Sequence, residues 1–328
     1  MSNVLNTYLL IFVSTYKNTM RKLLFIFCIP ALLINCNDGD IITIDLDFDD
    51  TFEFCEVNDE SVLFYKTRSD PSESLSIKLG TSIEDLIELD DDNQLVSSEE
   101  SFTINGSTNT FYYRTYSETL PTSYFCEAIT PNVNIISNSE SASGRVTVTT
   151  LLTEDDNDTI PAELEDLNEN GDLEDDDSDN DGITNYLDDD DDGDNVPTRS
   201  ENPNYSASSG LTEAQDFDLD GTPDYLDTDD DGDDVLTRDE ENDTQDQDPT
   251  NDITDNTIGP DYLNDQVSTT VTATALREHT IKQTYTITAF VSDFSFPNLN
   301  QDALDFGTLT IDSQEPCPCE RTITPDIN

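Results

Sequence analysis

Two stretches of this chain repeat one acidic pattern in register, and this repeat most limits what the chain can fold into. "DSDNDGITNYLDDDDDGDNVPTRSE" begins at Asp177, and "DFDLDGTPDYLDTDDDGDDVLTRDE" begins 39 residues later at Asp216. Most of the acids, both glycines, the Tyr-Leu-Asp triplet and the Val-x-Thr-Arg run coincide. A solvated low-complexity tract does not hold such a register, so the spacing indicates a repeated structural unit.

The spacing of the acids predicts a series of calcium loops. Such a loop needs oxygen ligands at positions 1, 3 and 5, a turn residue at 6, a carbonyl at 7 and an acid at 12. Six abutting loops fit, and together they would bind about four to six Ca²⁺ ions. Loop by loop, the predicted side-chain ligands are Glu154, Asp156, Asp158 and Glu165; Asp166, Asn168, Asn170, Glu174 and Asp177; Asp177, Asp179, Asp181, Asn185 and Asp188; Asp190, Asp192, Asp194, Thr198 and Glu201; Asp216, Asp218, Asp220, Asp224 and Asp227; and Asp229, Asp231, Asp233, Thr237 and Glu240.

The loops leave no room for the flanking helices of an EF-hand, because Asp177 closes one loop and opens the next. The array therefore resembles thrombospondin type 3 repeats. Its sequence pattern also looks like calcium-repeat segments of Bacteroidota surface lipoproteins. The resemblance covers roughly residues 154–264 and implies calcium binding without any enzymatic activity. The cysteines that staple thrombospondin repeats are absent from this segment, so cations would have to do more of the ordering.

The charge of the chain excludes some partners. The formal net charge is −61, and almost half of the 74 acids lie in residues 154–240, against two basic residues, Arg199 and Arg238. Nucleic acid and anionic membrane surfaces would repel such a segment. A disordered acidic spacer is the alternative to a calcium array, and the recurring glycines and twelfth-position acids favour the array.

The N-terminus predicts export. We interpret residues 1–36 as a signal segment with its best start at Met20, because a basic pair precedes an apolar run over 23–34. The run ends before Cys36 and resembles a bacterial lipoprotein signal, which implies a lipid on Cys36 that attaches the protein to the membrane. We expect an outer-membrane lipoprotein exposed at the cell surface. A periplasm-facing or secreted protein is the alternative.

Four cysteines remain after the signal segment, namely Cys55, Cys126, Cys317 and Cys319. In an exported protein they predict two disulfides. We expect Cys317 and Cys319 each to pair with Cys55 or Cys126, because their closeness disfavours a mutual bond. A metal–thiolate site is the alternative, although it would need more than the single histidine of the chain.

The rest of the chain predicts a mainly β fold, an antiparallel β-sandwich interrupted by the irregular calcium-loop insertion. Residues 37–152 would form its first part, 153–265 the insertion, and 266–328 the strands that complete it; a separate small C-terminal domain is the alternative. Alternating apolar and polar residues mark the strands, and a short helix fits 82–89. The predicted strands are 42–48, 51–57, 61–67, 74–79, 110–117, 132–137, 145–152, 267–276, 283–291 and 306–311.

The chain carries no nucleophile elbow, P-loop or HExxH motif, so we expect no enzyme. His279 is interpreted as a surface residue at a strand edge. We expect a structural or adhesive role in which calcium orders the acidic segment. The alternative is a module that captures a surface glycan or peptide, or an accessory subunit of an uptake or hydrolase system. In that case Phe111, Tyr112, Tyr113 and Tyr116 would offer a sugar-stacking face rather than a core face.

Overall fold

The computed structural model describes residues 46, 48–297, 302–313, 317–325 and 327. All of them except Leu46 belong to one compact unit, Asp47–Pro297 with Gln301–Asn328. The predicted signal segment, Cys36 and most of the predicted strand at 42–48 lie outside the described residues.

Among the described residues, ten strands form two antiparallel sheets, which confirms the predicted mainly β fold. The first sheet has the order β1-β2-β3-β5-β6. The second has the order β4-β7-β8, and both β9 and β10 pair with the remaining edge of the long strand β8. The strands are β1 (Glu53–Asn58), β2 (Ser61–Ser69), β3 (Ser72–Leu79), β4 (Glu99–Thr103), β5 (Thr110–Tyr116), β6 (Ile135–Glu140), β7 (Arg145–Asp155), β8 (His279–Ser292), β9 (Ala303–Ile311) and β10 (Glu320–Ile323).

Aromatic side chains fill the space between the two sheets. The Phe52 ring lies 4.8 Å from Phe64 of the first sheet and 5.4 Å from Phe306 of the second. Phe111 meets Phe306 edge-on at 6.4 Å. In β8 the predicted alternation is confirmed, since Tyr285 and its alternate neighbours are buried while the threonines between them are half-buried. The period of two places one face of each sheet in this common core.

One short helix, α1 (Ile83–Leu86), follows β3, as the sequence predicts. Ser82 caps it by accepting the Asp85 amide at 3.0 Å, while the Asp85 carboxylate accepts the Ser82 amide at 3.1 Å. This reciprocal pair satisfies two amides that the first turn leaves free. In the described part of the chain, no helix is both long and apolar enough to span a bilayer.

The acidic repeat lies between two strands that pair with each other. β7 and β8 are in register from Arg145 opposite Ser292 to Asp155 opposite Lys282, so the chain leaves and re-enters one sheet at neighbouring points. The exact domain boundaries stay a prediction. The repeat contains only short 3-10 turns, at Ala162–Leu164, Leu173–Asp175, Asn185–Leu187, Thr198–Ser200, Asp224–Leu226, Thr237–Asp239, Pro249–Asn251 and Asp261–Leu263.

The predicted strand at 267–276 is wrong. This segment forms no strand and pairs with none, and two of its amides bond to the repeat instead. Val271 N–H donates to the Asp239 carbonyl at 2.7 Å, and Ala273 N–H donates to the Asp239 carboxylate at 2.8 Å. The acidic array therefore replaces a strand as the partner of this backbone.

The expected cysteine pairing is also wrong. Cys55 bonds to Cys126, with Cα atoms 5.4 Å apart, and Cys317 bonds to Cys319, with Cα atoms 5.1 Å apart. Both separations lie within the range that a disulfide requires. The two neighbours can pair because Cys319 adopts a left-handed backbone, with φ of 34°, that turns the short loop back on itself.

Candidate cation-binding sites

Each loop of the repeat is shaped by its own carboxylates. The first acid accepts the amide of the sixth residue, as Asp177 does from Gly182 at 3.2 Å and Asp216 from Gly221 at 3.1 Å. The fifth acid accepts the amide of the seventh residue, as Asp181 does from Ile183 at 2.7 Å. In Asp177, Asp181 and Asp216 the other carboxylate oxygen is buried without a hydrogen-bond partner, so it is left for a ligand inside the loop.

The residues predicted at position 9 brace the loops from within. Four of these five residues accept a hydrogen bond from the amide of position 2, whereas Glu174 accepts one from the Tyr186 hydroxyl. The two acids among the five belong to none of the acidic clusters described below. The donor amides and acceptor side chains are Ser178 to Asn185 at 2.9 Å, Asp191 to Thr198 at 3.1 Å, Phe217 to Asp224 at 2.7 Å and Asp230 to Thr237 at 3.3 Å.

Small apolar side chains and glycines let the loops stack. Ile160, Ile183, Val196 and Val235 occupy position 7 of their loops, and all are buried. Gly193 adopts a left-handed backbone with φ of 68°, and a Cβ atom there would overlap the Asp179 carboxylate of the neighbouring loop. A side chain at this position would push the neighbouring acid away.

Five groups of acids each bring their carboxylate oxygens within 4.8 Å of one another in the described residues. Two groups are wholly buried, and each of the other three includes half-buried or exposed members. The groups are Asp156, Asp158 and Glu165; Asp192, Asp194, Glu201 and Asp230; Asp177, Asp179 and Asp181; Asp216, Asp218 and Asp220; and Asp229, Asp231 and Asp233.

Many carboxylate oxygens in these groups are buried without a hydrogen-bond partner. Both oxygens of Glu165, Glu201 and Asp230 are in this state. Burial, followed by the charge of neighbouring acids, raises the pKa of Glu165 to about 9. The same two causes raise the pKa of Glu240, whose oxygens are also unpartnered, to about 9. Burying unpaired charge is costly, so these oxygens need either protons or cations.

Some predicted ligands serve other partners. Glu154, predicted at the first position of its loop, lies in β7 and instead pairs with Arg321, with Nε–Oε1 at 2.8 Å and Nη2–Oε2 at 3.0 Å. Gln283 also donates to Glu154 at 2.8 Å. This residue joins the repeat to β8 and β10, because both of its oxygens are used there.

The loop predicted at 166–177 forms no acidic cluster of its own. The Asn168 amide group donates to Asp175 and Asp176, both at 3.1 Å, and Asn170 donates to Asp175 at 2.9 Å. Glu174 accepts the Tyr186 hydroxyl at 2.7 Å. Amide side chains donate hydrogen bonds to the acids in this loop, where the other loops gather carboxylates.

His279 is buried, which corrects its interpretation as a surface residue. It is 1% exposed, and its Nδ1 lies 2.5 Å from Asp188 Oδ1. Burial alone would lower the pKa of His279, but the hydrogen bond and charge of Asp188, with Asp190 and Asp189, raise it. The first residue of β8 is thereby tied to the twelfth position of the loop that begins at Asp177.

Asp191 and Asp230 are ligand candidates that the loop spacing missed, because both stand at position 2. Each is 1% exposed and has two unpartnered oxygens. Alignment of the two repeats could have identified them, since the two acids coincide under the shift of 39 residues.

The aromatic run in β5 faces the core. Phe111, Tyr113 and Tyr116 are buried, and Tyr112 is covered by the Arg114 guanidinium at 4.3 Å from its ring centroid. Burial of Phe111, Tyr113 and Tyr116 favours the core interpretation, whereas Tyr112 is half-buried and lies outside the core.

Comparison with known proteins gives one match. Residues 155–217 are similar to a family model described as BamM C-terminal. The match covers about a fifth of the chain and coincides with the first loops of the repeat. No curated protein and no solved structure matches the chain. The resemblance to thrombospondin type 3 repeats therefore stays a prediction.

Proposed function

We propose that this chain is an outer-membrane-associated protein whose acidic repeat binds about four to six Ca²⁺ ions and is ordered by them. The observation that carries the proposal is the set of buried carboxylate oxygens that share a centre and have no partner. Like charges held this close repel one another, and a divalent ion at each centre replaces the repulsion with coordination.

The donor set favours calcium over other metals. All the candidate ligands in the five groups are carboxylates. Calcium takes six to eight oxygen ligands in a flexible geometry, whereas magnesium requires a small octahedron, and zinc favours nitrogen and sulfur. Exported calcium modules bind at about 10⁻⁴–10⁻³ M, so calcium outside the cell would keep the sites filled.

The position of the array supports a structural or adhesive role without catalysis. Calcium would fix the path of the chain between β7 and β8, which are neighbours in one sheet. Hydrogen bonds from Val271 and Ala273 to Asp239 tie the array to the segment that precedes β8, and the Asp188–His279 contact ties it to β8 itself. A filled array would then be a stiff extension of the sandwich.

Two features support association with the outer membrane. The match to a family model described as BamM C-terminal points to an outer-membrane-related protein. The predicted lipid on Cys36 would supply the membrane attachment, with no nucleic acid as partner. Fractionation of cells that express the wild-type chain or Cys36→Ser tests this: the wild type should enter the membrane fraction, and the variant should be released.

Calorimetric titration of the metal-free chain with calcium tests the binding. We expect saturable uptake of about four to six ions at millimolar calcium, accompanied by a smaller hydrodynamic radius. Magnesium at the same concentration is the control and should produce little of either effect. Absence of calcium uptake at millimolar concentration would refute the proposal.

A further inference from the structure

The two wholly buried acidic groups differ from the other three in what they contain. The first buried site has Asp156, Asp158 and Glu165, which all come from one loop. The second has Asp192, Asp194 and Glu201 from one loop, but its fourth member, Asp230, comes from the next repeat. A ligand there would bridge segments that lie about 30 residues apart.

A residue equivalent to Asp230 is buried near the first site, although its oxygens lie outside the group of three. Asp191 is equivalent to Asp230 under the repeat, and its amide is held by Thr198 as that of Asp230 is held by Thr237. Both Asp191 oxygens are buried without a partner, and its charge acts on Glu165, Asp156 and Asp158. Two equivalent backbones thus present two equivalent free carboxylates to the preceding loop.

A tyrosine from the following unit lies beside each buried site. Tyr225 is 5% exposed, and burial, followed by the charges of Asp191, Glu165 and Asp158, raises its pKa to about 12. Tyr262 is also buried, and its pKa is raised by burial and by the charges of Asp230, Glu201 and Asp194. Each buried tyrosine therefore lies within electrostatic range of three acids of the preceding site.

The last unit of the array keeps its shape but not its acids. Asp261 N–H donates to the Asp252 carbonyl at 2.9 Å, as Asp224 N–H does to Gln215. Thr254 N–H donates to Asp261, as Phe217 N–H does to Asp224. Yet Ile253 and Thr257 replace two of the three loop acids. A unit that retains its fold and its tyrosine while losing its ligands has the features of a cap, like the terminal unit of a repeat array.

We propose that the array contains two interlocked Ca²⁺ sites, each built from three acids of one loop, one acid of the next repeat and a tyrosine cover. They are Asp156, Asp158, Glu165 and Asp191 under Tyr225, and Asp192, Asp194, Glu201 and Asp230 under Tyr262. The inference rests on the proposed calcium binding and adds the order in which the sites fill. These two sites fill before the three open groups, because they have four carboxylates each and exclude water.

Terbium luminescence tests the tyrosine covers. Tb³⁺ replaces calcium at oxygen sites and emits when a nearby tyrosine absorbs light, and the chain has no tryptophan to interfere. Titration of the metal-free full chain should give early, tyrosine-sensitised emission. Tyr225→Phe and Tyr262→Phe should each remove part of it, because phenylalanine keeps the packing but absorbs little at that wavelength. Tyr205→Phe, at a tyrosine that is 38% exposed, is the control and should leave the emission unchanged.

Calcium titration of carboxamide variants tests the shared ligands. Asp191→Asn and Asp230→Asn should weaken the tightest binding phase by about tenfold or more, since affinity follows ligand charge. Asp179→Asn and Asp218→Asn, in the open groups, should weaken only the later phase. Equal losses in all four variants, or Tb³⁺ emission that ignores both buried tyrosines, would overturn the interlocked sites while leaving calcium binding intact. A wild-type chain that takes up no calcium would instead refute the proposed function.

Discussion

At the residue scale, the array depends on glycines that bring neighbouring loops together. Gly193 and Gly232 have φ of 68° and 69°, and a Cβ atom at either would meet Asp179 or Asp218 of the adjacent loop. Gly182 also has a positive φ, of 99°, but open space surrounds it. All three glycines adopt a left-handed backbone, but only at Gly193 and Gly232 does a neighbouring loop also approach too closely for a side chain.

Substitution of Gly193 should therefore affect cation binding more than substitution of Gly182. In Gly193→Ala, the methyl group displaces the Asp179 carboxylate from Asp177 and Asp181, so we expect one fewer ion in the calcium stoichiometry. Gly182→Ala should carry only the backbone strain, about 1–2 kcal/mol, with the ion count unchanged. Calorimetry of both variants makes the comparison, and equal stoichiometries would contradict the clash.

At the element scale, alternation in the sequence predicted a strand only where the segment also found a strand to pair with. The alternation in β8 was confirmed because a half-buried strand exposes every second side chain. The similar pattern at 267–276 forms no strand, and its backbone bonds to Asp239 and Asn195 of the array. The short strands β4 and β10 were missed, because each lies at one side of its sheet and shows little buried apolar surface.

In the candidate site, too, the sequence predicted local contacts better than contacts between distant residues. Spacing within one loop predicted acids that the structure brings together in five of the six loops, because those contacts are local. It missed Asp191 and Asp230, whose partners lie in the preceding repeat, and it placed Glu154 in a loop although Arg321, far along the chain, takes its carboxylate. Contacts between distant segments depend on how those segments pack together, and the spacing of residues within one segment does not predict that packing.

The interface between the sheets gives a prediction at this scale. Phe111 is fully buried and meets Phe294 at 5.2 Å and Phe296 at 4.8 Å, besides Phe306. Phe111→Ala should lower the free energy of unfolding by about 3–5 kcal/mol, since it leaves a cavity between the sheets. Urea denaturation in saturating calcium measures this. Phe290→Ala, at a side chain 46% exposed, should change stability little, and a comparable loss there would contradict the core assignment.

At the scale of the whole molecule, the stability of the metal-free protein is set by protons. Burial, together with neighbouring acids, raises the pKa of Glu165 and Glu240 to about 9, and burial raises that of Asp188 to about 6. In the unfolded chain these carboxyl groups ionise near pH 4. Folding without metal therefore takes up protons, and the stability of the metal-free form falls as the pH rises from about 4 towards 9.

Metal-free protein should accordingly be more ordered at pH 5 than at pH 8. His279 acts in the same direction, because its raised pKa contributes stability at low pH that is lost as the pH rises through its folded value. Calcium reverses the trend: ions displace the protons, so calcium affinity should increase from pH 5 to pH 8. Circular dichroism and hydrodynamic radius, measured at both pH values with and without calcium, show how order depends on pH in the metal-free and the calcium-bound protein. A metal-free chain as compact at pH 8 as at pH 5 would mean that the buried carboxylates tolerate one another without protons or cations.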